Sequence, residues 1–521
     1  MDDQLESPRP PGTNPVMTHT DGLYVTVAVD QPVDATYTYA LPTKLRRDVG
    51  LGSRVVVPLG RGNRLTQGTV LSLSTEPPTF TRSPEPVEEE AMLFAGTPTE
   101  EPAEGVKAVA DVLREAAAVP ADLLELAKWI SSYYCAPIGM TLATMVPAAV
   151  KKGTRLPTNV QLSLASEEKS AEEMMEGVKV SPRSRTLFLA LHALLSAGPR
   201  TELEVMTAAE VGRPILKGLT EKGLLKAHRE IRLPEVAVIG AKVGAAAAPL
   251  ELSADQQRAM TELDALLDAR GFAVRLIHGV TGSGKTELYI RAIEKVVARG
   301  QRAIVLVPEI SLTPQTVRRF TARFPRVAVL HSGMKDSQRH QHWHAIASGW
   351  AQVIVGARSA IFAPASDIGL IVVDEEHDSS YKQDNLPKYH GRDVAIRRAQ
   401  MLNIPVLLGS ATPALESWHN AHAHEKWGLI SLRTRPLGTQ MPRVVIVDMK
   451  AQAKERRGLH ILSTVLEHRL RQTLEQKKQA IVLLNRRGYA HYVMCPRCEW
   501  VLMCENCDAT MVVHRTQDKP S

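Results

Sequence analysis

The chain has 521 residues, 44% of them hydrophobic, and a formal net charge of +7; it is too long for one ordinary domain, can fill several cores, and leans towards a nucleic-acid partner without establishing one. No apolar run reaches the roughly 18 residues of a helical membrane span, and Met1–Thr20 lacks the basic-then-apolar pattern of a secretory signal, so a cytoplasmic protein with no membrane partner is expected. Only five cysteines occur, four of them between positions 495 and 507, which points to metal binding rather than a disulfide framework.

Residues 1–20 are polar and proline-rich and read as disordered. Residues 21–74 read as a small β domain, with strands at Leu23–Val29, Ala35–Leu41, Arg54–Pro58 and Gln67–Leu71 and glycine turns between. Its arginines, Arg54, Arg61 and Arg64, either face DNA or form a solvated basic face. Residues 75–105, with Glu88-Glu89-Glu90 and several prolines, form a linker. In 106–237, Ala108–Tyr134 reads as two helices, stopped by Cys135-Ala136-Pro137-Ile138-Gly139. Trp129, Tyr133 and Tyr134 end the second helix, and the tyrosine pair is read as core rather than as a base-stacking platform. Cys135 is read as a buried hydrophobe. Helical segments at Arg185–Ala197, Leu203–Glu210 and Arg213–Lys222 precede a strand at Leu224–His228. This is the winged-helix plan, which serves DNA or protein contacts.

Residues 252–436 carry the chemistry. A helix at Leu252–Leu267 holds Gln256 just inside its start, where many helicases place a glutamine that reads adenine. A strand at Ala273–Ile277 leads into Gly279-Val280-Thr281-Gly282-Ser283-Gly284-Lys285-Thr286, the P-loop pattern, followed by a helix. The glycines curl the backbone so that successive N–H groups face the phosphates of ATP. Lys285 reaches the β- and γ-phosphates, and the Thr286 hydroxyl suits Mg²⁺. Strands at Ala303–Val307, Val327–Leu330, Gln352–Val355, Gly369–Val373 and Val406–Leu408 alternate with helices, predicting a parallel sheet with ligands at its carboxyl edge. At those ends, Asp374 is placed beside Mg²⁺ and Glu375 beside the attacking water. His377 is placed to relay nucleotide state to Gly409-Ser410-Ala411-Thr412-Pro413. Segments Val307–Gln315, His331–Gly333 and Gly356–Ala360 offer N–H groups and hydroxyls to a nucleic-acid backbone, with Arg358 as the charged contact. Between these ends, Tyr381-Lys382-Gln383 and Lys388–Asp393 interleave aromatics with bases. That pattern suits single-strand stacking or an ordinary basic loop.

Residues 443–494 begin a second α/β unit, with strand candidates Val444–Asp448 and Ala480–Leu484 around a helical Ser463–Lys477. In 495–521, Cys495, Cys498, Cys504 and Cys507 form two Cys-x-x-Cys knuckles, a zinc signal. Only five residues separate the knuckles, whereas zinc ribbons commonly use about 15–20. Either the four cysteines make one compact site, with His514 as a substitute ligand, or each pair is half of a separate site; the second is preferred.

Taken together, GVTGSGKTELY, LVPEISLTPQT, LHSGM, GARSAIFAP, VVDEEHDSSYKQ, YHGRDVA, GSATPALES, LLNRRGYA and CPRCEWVLMCENCDATMVVHR resemble the primosomal protein N′ family of bacterial replication-restart helicases. Weaker similarity extends through YCAPIG and VDATYTYALP. The resemblance implies a multi-domain α/β protein: a β domain that holds a DNA 3′ end, a winged helix, a RecA-like first helicase lobe, and the start of a second lobe with a cysteine-rich zinc insertion. It implies ATP-driven 3′→5′ unwinding of forked and single-stranded DNA and two Zn²⁺ ions held by four cysteine pairs. The implied partners are primosome proteins, the replicative helicase loader and single-stranded DNA-binding protein. Two departures stand out. The chain ends at Ser521, short of the family's other cysteine pairs, the rest of its second lobe and its arginine finger. Thr38 stands where some relatives have an acid. An ATP-dependent DNA helicase active in replication restart by primosome assembly is expected, and a truncated, hydrolysis-deficient fork-binding scaffold is the alternative.

Overall fold

The computed structural model describes residues 23–60, 62–76, 106–114, 118–151, 156–166, 168–234, 251–435, 443–449 and 462–483, with short stretches between and beyond them. Residues 1–20, Arg61, His514 and most of the 75–105 stretch lie outside the described residues. The chain divides into one unit ending at Gly438 and another starting at Thr439.

The first unit opens with an antiparallel sheet of β1 (Tyr24–Val29), β2 (Thr36–Ala40), β3 (Arg54–Leu59), β4 (Arg64–Ser74) and β5 (Asp111–Val112), in the order β2-β1-β4-β3-β5. Alternation along β1 and β3 sends Val25, Val27, Val55 and Val57 into one core with Val70 and Tyr39. Three expectations fail here. Arg54 does not face DNA. It is buried and ion-paired to Asp30, with Nη1 also donating to Thr69 Oγ1 at 2.9 Å. The first of the two helices expected in Ala108–Tyr134 is an edge strand instead. Ala110 N–H donates to Val56 O and Leu113 N–H to Arg54 O, so the sheet edge captures an apolar spacing that alone suits a helix. Only α1 (Ala121–Tyr133) is helical there; it stops before Cys135-Ala136-Pro137, as expected, and α2 (Ile138–Met145) begins after Pro137. Cys135 is exposed, not buried.

A separate core gathers Leu162, Phe188, Leu191, Val205, Leu216 and Leu225. It joins a short helix, Ala171–Met175, and three longer ones, α3 (Pro182–Leu195), α4 (Glu202–Ala208) and α5 (Arg213–Glu221), to a three-stranded sheet of β6 (Thr158–Leu164), β7 (Arg200–Thr201) and β8 (Leu225–Ile231). Ser181 and Thr201 cap α3 and α4 through their side chains.

The largest element is a seven-stranded parallel sheet. It comprises β9 (Ala273–Gly279), β10 (Arg302–Leu306), β11 (Val327–Leu330), β12 (Val353–Gly356), β13 (Ile368–Val373), β14 (Pro405–Ser410) and β15 (Trp427–Leu432), in the order β11-β12-β10-β13-β14-β9-β15. β15 was not foreseen. Because strand side chains alternate, Leu276, Ile304, Ile371 and Leu408 fill one face and Ile277, Val305, Val372 and Leu407 the other. Helices cover both faces, among them α6 (Ala254–Ala269), α7 (Lys285–Ala298), α8 (Asp336–Ala347), α9 (Gly391–Leu402) and α10 (Leu415–Ala423). Buried Arg398 of α9 joins this lobe to α1. Its Nη2 donates to Asp122 at 2.9 Å while Nη1 bonds the carbonyls of Ile361 and Ala363.

In the second unit, α11 (Thr464–Glu475) forms inside the expected helical stretch. The flanking strand expectations fail among the described residues. Residues 444–448 and 480–483 form no strand, and Ile446 and Ile481 are more than nine-tenths exposed. An apolar run becomes a strand only where a neighbour takes its hydrogen bonds.

Candidate functional site

The P-loop leaves the carboxyl end of β9 and opens α7. Gly282 and Gly284 take left-handed φ of +82° and +84°, a conformation that favours glycine. Lys285, the first residue of α7, is buried, and its Nζ donates to Gly279 O at 2.8 Å. Ser283 Oγ is buried without a hydrogen-bond partner. The first N–H groups of α7 have no intrahelical acceptor. A curled backbone, a buried cation and a helix N-terminus fit a triphosphate. Gln256 is also brought here. Its Oε1 accepts from Ser253 N–H at 2.9 Å and its Nε2 donates to Ser283 O at 3.0 Å, tying α6 to the loop.

Asp374 follows β13 and faces the same edge. Burial, and next the charge of Glu375, push its carboxyl up to about 6, against the lowering pull of Lys285. Tyr289 of α7 donates to Asp374 Oδ1 at 3.2 Å, and Tyr381 donates to the Asp374 carbonyl at 2.7 Å. Glu375 sits at φ +44°, a strained backbone for a glutamate, which turns the chain sharply after the strand. Thr286, Asp374 and Lys285 thus stand together, and a Mg²⁺ held by the Thr286 hydroxyl and the Asp374 carboxylate fits this oxygen-rich pair.

His377 reaches the end of β14, as expected. Its Nδ1 shares a 2.7 Å hydrogen bond with Ser410 Oγ and lies 3.7 Å from Glu375 Oε2, while its Nε2 is 3.4 Å from Thr412 Oγ1. Glu376 was missed. It is fully buried and accepts from Arg392 Nη1 at 3.0 Å, Ser417 Oγ at 2.8 Å and Ala414 N–H at 2.8 Å. No local signal marked it, since Arg392 and Ser417 lie 16 and 41 residues later, on α9 and α10.

The aromatic reading of the following loop is overturned. Tyr381 and Tyr389 are buried: Tyr381 bonds the Asp374 backbone, and Tyr389 packs edge-on against Phe362 at 5.2 Å. Neither can stack a base. Arg358 lies over Tyr389 at 5.6 Å and donates to the carbonyls of Ser380 and Lys382. A cleft of about 790 Å³ gathers the expected strand ends, with Glu309, Ser332, Arg339, Arg358, Ser359 and Lys382 in its wall.

Among the cysteines, Cys504 Sγ accepts from Asn506 N–H at 3.5 Å. That bond, and next the Cys507 side chain, lower the Cys504 thiol below its ordinary value. This turn fits half of a thiolate site. Among the described residues, no three His, Cys, Asp or Glu gather to hold a metal, and no helix is long and apolar enough to cross a membrane.

Comparison with known families matches residues 26–147 to a 3′ DNA-binding domain and residues 253–421 to a DEAD/DEAH box helicase. The replication restart protein PriA of Bacillus subtilis is 34% identical over 93% of this chain and 64% of its own length. That of Chlamydia muridarum is 32% identical over 95% of this chain and 62% of its own. The Synechocystis protein is 40% identical over 60% of this chain and 38% of its own. The chain therefore spans less than two thirds of the length of these relatives. A solved structure of RecG bound to a three-way DNA junction covers 36% of this chain and 25% of its own at 23% identity, with a TM-score of 0.29, too low to carry an argument. The two matched domains and the shared identity along nearly the whole sequence place the chain in the PriA replication restart protein family.

Proposed function

We propose that the chain is an ATP-dependent 3′→5′ DNA helicase that recognises stalled or abandoned replication forks and restarts replication by primosome assembly. One observation carries the motor reading: Lys285, Asp374 and the His377–Ser410 pair share the carboxyl edge of one parallel sheet.

In this reading Lys285 and the N–H groups of residues 279–286 hold the phosphates of ATP, and Thr286 and Asp374 hold Mg²⁺. The ion, when bound, offsets the charge that develops on the transferred phosphoryl group. Glu375 orients and deprotonates the attacking water. His377 senses the nucleotide and passes its state to Ser410. Gln256 is assigned to adenine, in exchange for one of its present bonds. The cleft carrying Arg358 takes the DNA backbone.

Residues 106–237 act as a winged helix, supported by α3, α4 and α5 packed on the three-stranded sheet of β6, β7 and β8. Residues 443–494 begin the second lobe, and Cys495, Cys498, Cys504 and Cys507 each serve in one of two zinc half-sites. Primosome proteins, the helicase loader and single-stranded DNA-binding protein are the assigned partners, in the cytoplasm. The discriminating experiment compares unwinding of a duplex with a 3′ tail and one with a 5′ tail, each with ATP. Unwinding of the 3′-tailed duplex alone is expected. Unwinding of the 5′-tailed duplex overturns the direction.

A further inference from the structure

α1 buries Leu123, Leu124, Leu126, Ala127 and Ile130, and this fixes which residues it turns outward. Trp129 and Tyr133 lie four positions apart, one above the other on the outer face. Their rings stack with centroids 4.8 Å apart and 21° between planes, and Tyr134 closes edge-on at 4.9 Å from Tyr133. Tyr133 is 62% exposed, so the core reading of this pair does not hold for it. A free aromatic face of this size on a helix end is supported from below by Trp129 rather than covered by another element.

Cations frame the group. Arg397 lies 5.7 Å from the Trp129 centroid, and Lys382 Nζ lies 5.3 Å from the Tyr134 centroid. The Tyr134 hydroxyl accepts from His390 N–H at 3.2 Å, which anchors the aromatic group to the loop after Asp374. Lys382 also lines the cleft that holds Arg358 and Arg339. The cleft wall carries Lys151, Arg339, Arg358 and Lys382 against Glu309 and Asp384, and such a cation-rich groove beside an exposed aromatic face suits a strand whose phosphates follow the cations while its bases stack.

We infer that Tyr133, backed by Trp129, is a base-stacking shelf for single-stranded DNA leaving the Arg358–Lys382 cleft. The inference rests on the DNA-motor reading and adds a contact outside the helicase lobe, on α1. It assigns to α1 the stacking role that buried Tyr381 and Tyr389 cannot fill.

The test measures anisotropy of labelled oligo(dT) and of a blunt duplex with the full chain and with Tyr133→Ala and Tyr133→Phe. Tyr133→Ala is expected to weaken oligo(dT) binding about tenfold, Tyr133→Phe to leave it near the parent value, and duplex binding to stay unchanged. Equal oligo(dT) affinity for the parent and Tyr133→Ala overturns the shelf and leaves the motor reading standing. An equal loss on both DNAs also overturns it, because stacking on a free base cannot explain the duplex. If Tyr133→Ala instead abolishes self-association and leaves DNA binding intact, the face belongs to a second copy of this chain. Absence of oligo(dT) binding by the parent overturns the DNA-binding reading and the shelf with it.

Discussion

The Tyr289 hydroxyl donates to Asp374 Oδ1 at 3.2 Å from a position open only because residue 409 is glycine. A Cβ on Gly409 would stand 1.5 Å from that hydroxyl. The P-loop helix, the Asp374 strand end and the β14 strand end therefore interlock through one buried tyrosine.

Gly409→Ala is expected to displace Tyr289 and destabilise the chain by about 2 kcal/mol or more, the usual scale of overpacking. Tyr289→Phe in the same background is expected to recover part of that loss. Urea unfolding of the single and double variants checks both; an unchanged Gly409→Ala midpoint contradicts the interlock.

Asp374 sets a pH dependence whose sign follows from its environment. Its carboxyl is held at about 6 against an ordinary 3.8. Between those values the native chain keeps a proton that the unfolded chain has released, so this group's contribution to stability falls as pH rises through the window. Above it, the buried charge costs on the order of 3 kcal/mol. Asp374→Asn is expected to raise the melting temperature of the nucleotide-free chain near neutral pH, to lose that advantage near pH 4, and to abolish ATP turnover. Thermal denaturation at both pH values measures this, and a lower melting temperature at neutral pH contradicts it.

The 2.7 Å bond between His377 and Ser410 joins the two strand ends expected to couple nucleotide to DNA. Ser410→Ala is expected to lower DNA stimulation of ATP turnover by about fivefold or more, a typical coupling energy, while basal turnover holds. Steady-state turnover with and without oligonucleotide separates the two. An equal fall in both rates would make Ser410 a structural residue only.

Arg398 and Asp122 lie 276 positions apart and share a largely buried ion pair at 2.9 Å. Asp122→Ala leaves a buried guanidinium without its charge partner and is expected to cost about 3 kcal/mol. Denaturant unfolding reads this directly, and a loss below about 1 kcal/mol shows that the Ile361 and Ala363 carbonyls suffice for Arg398.

What could be read from the sequence was local. The P-loop, the acidic end of β13 and the Gly-Ser-Ala-Thr segment each declare themselves within a few residues, and strand–helix alternation orders them along one edge. What could not be read depends on distant partners. Arg54 looked like a DNA contact because Asp30, which neutralises it, lies 24 residues earlier. Tyr381 and Tyr389 looked like stacking residues because composition does not say which ring turns inward. Tyr133 looked like core for the same reason. Glu376 gave no sign of its buried role because Arg392 and Ser417 reach it from two later helices.

ATP turnover by this chain and by Lys285→Ala, each with and without saturating oligo(dT), tests the motor most directly. DNA should raise turnover by the parent chain, and Lys285→Ala should abolish turnover under both conditions. Turnover that survives Lys285→Ala, or that is indifferent to DNA, would contradict a DNA-driven motor built around this P-loop.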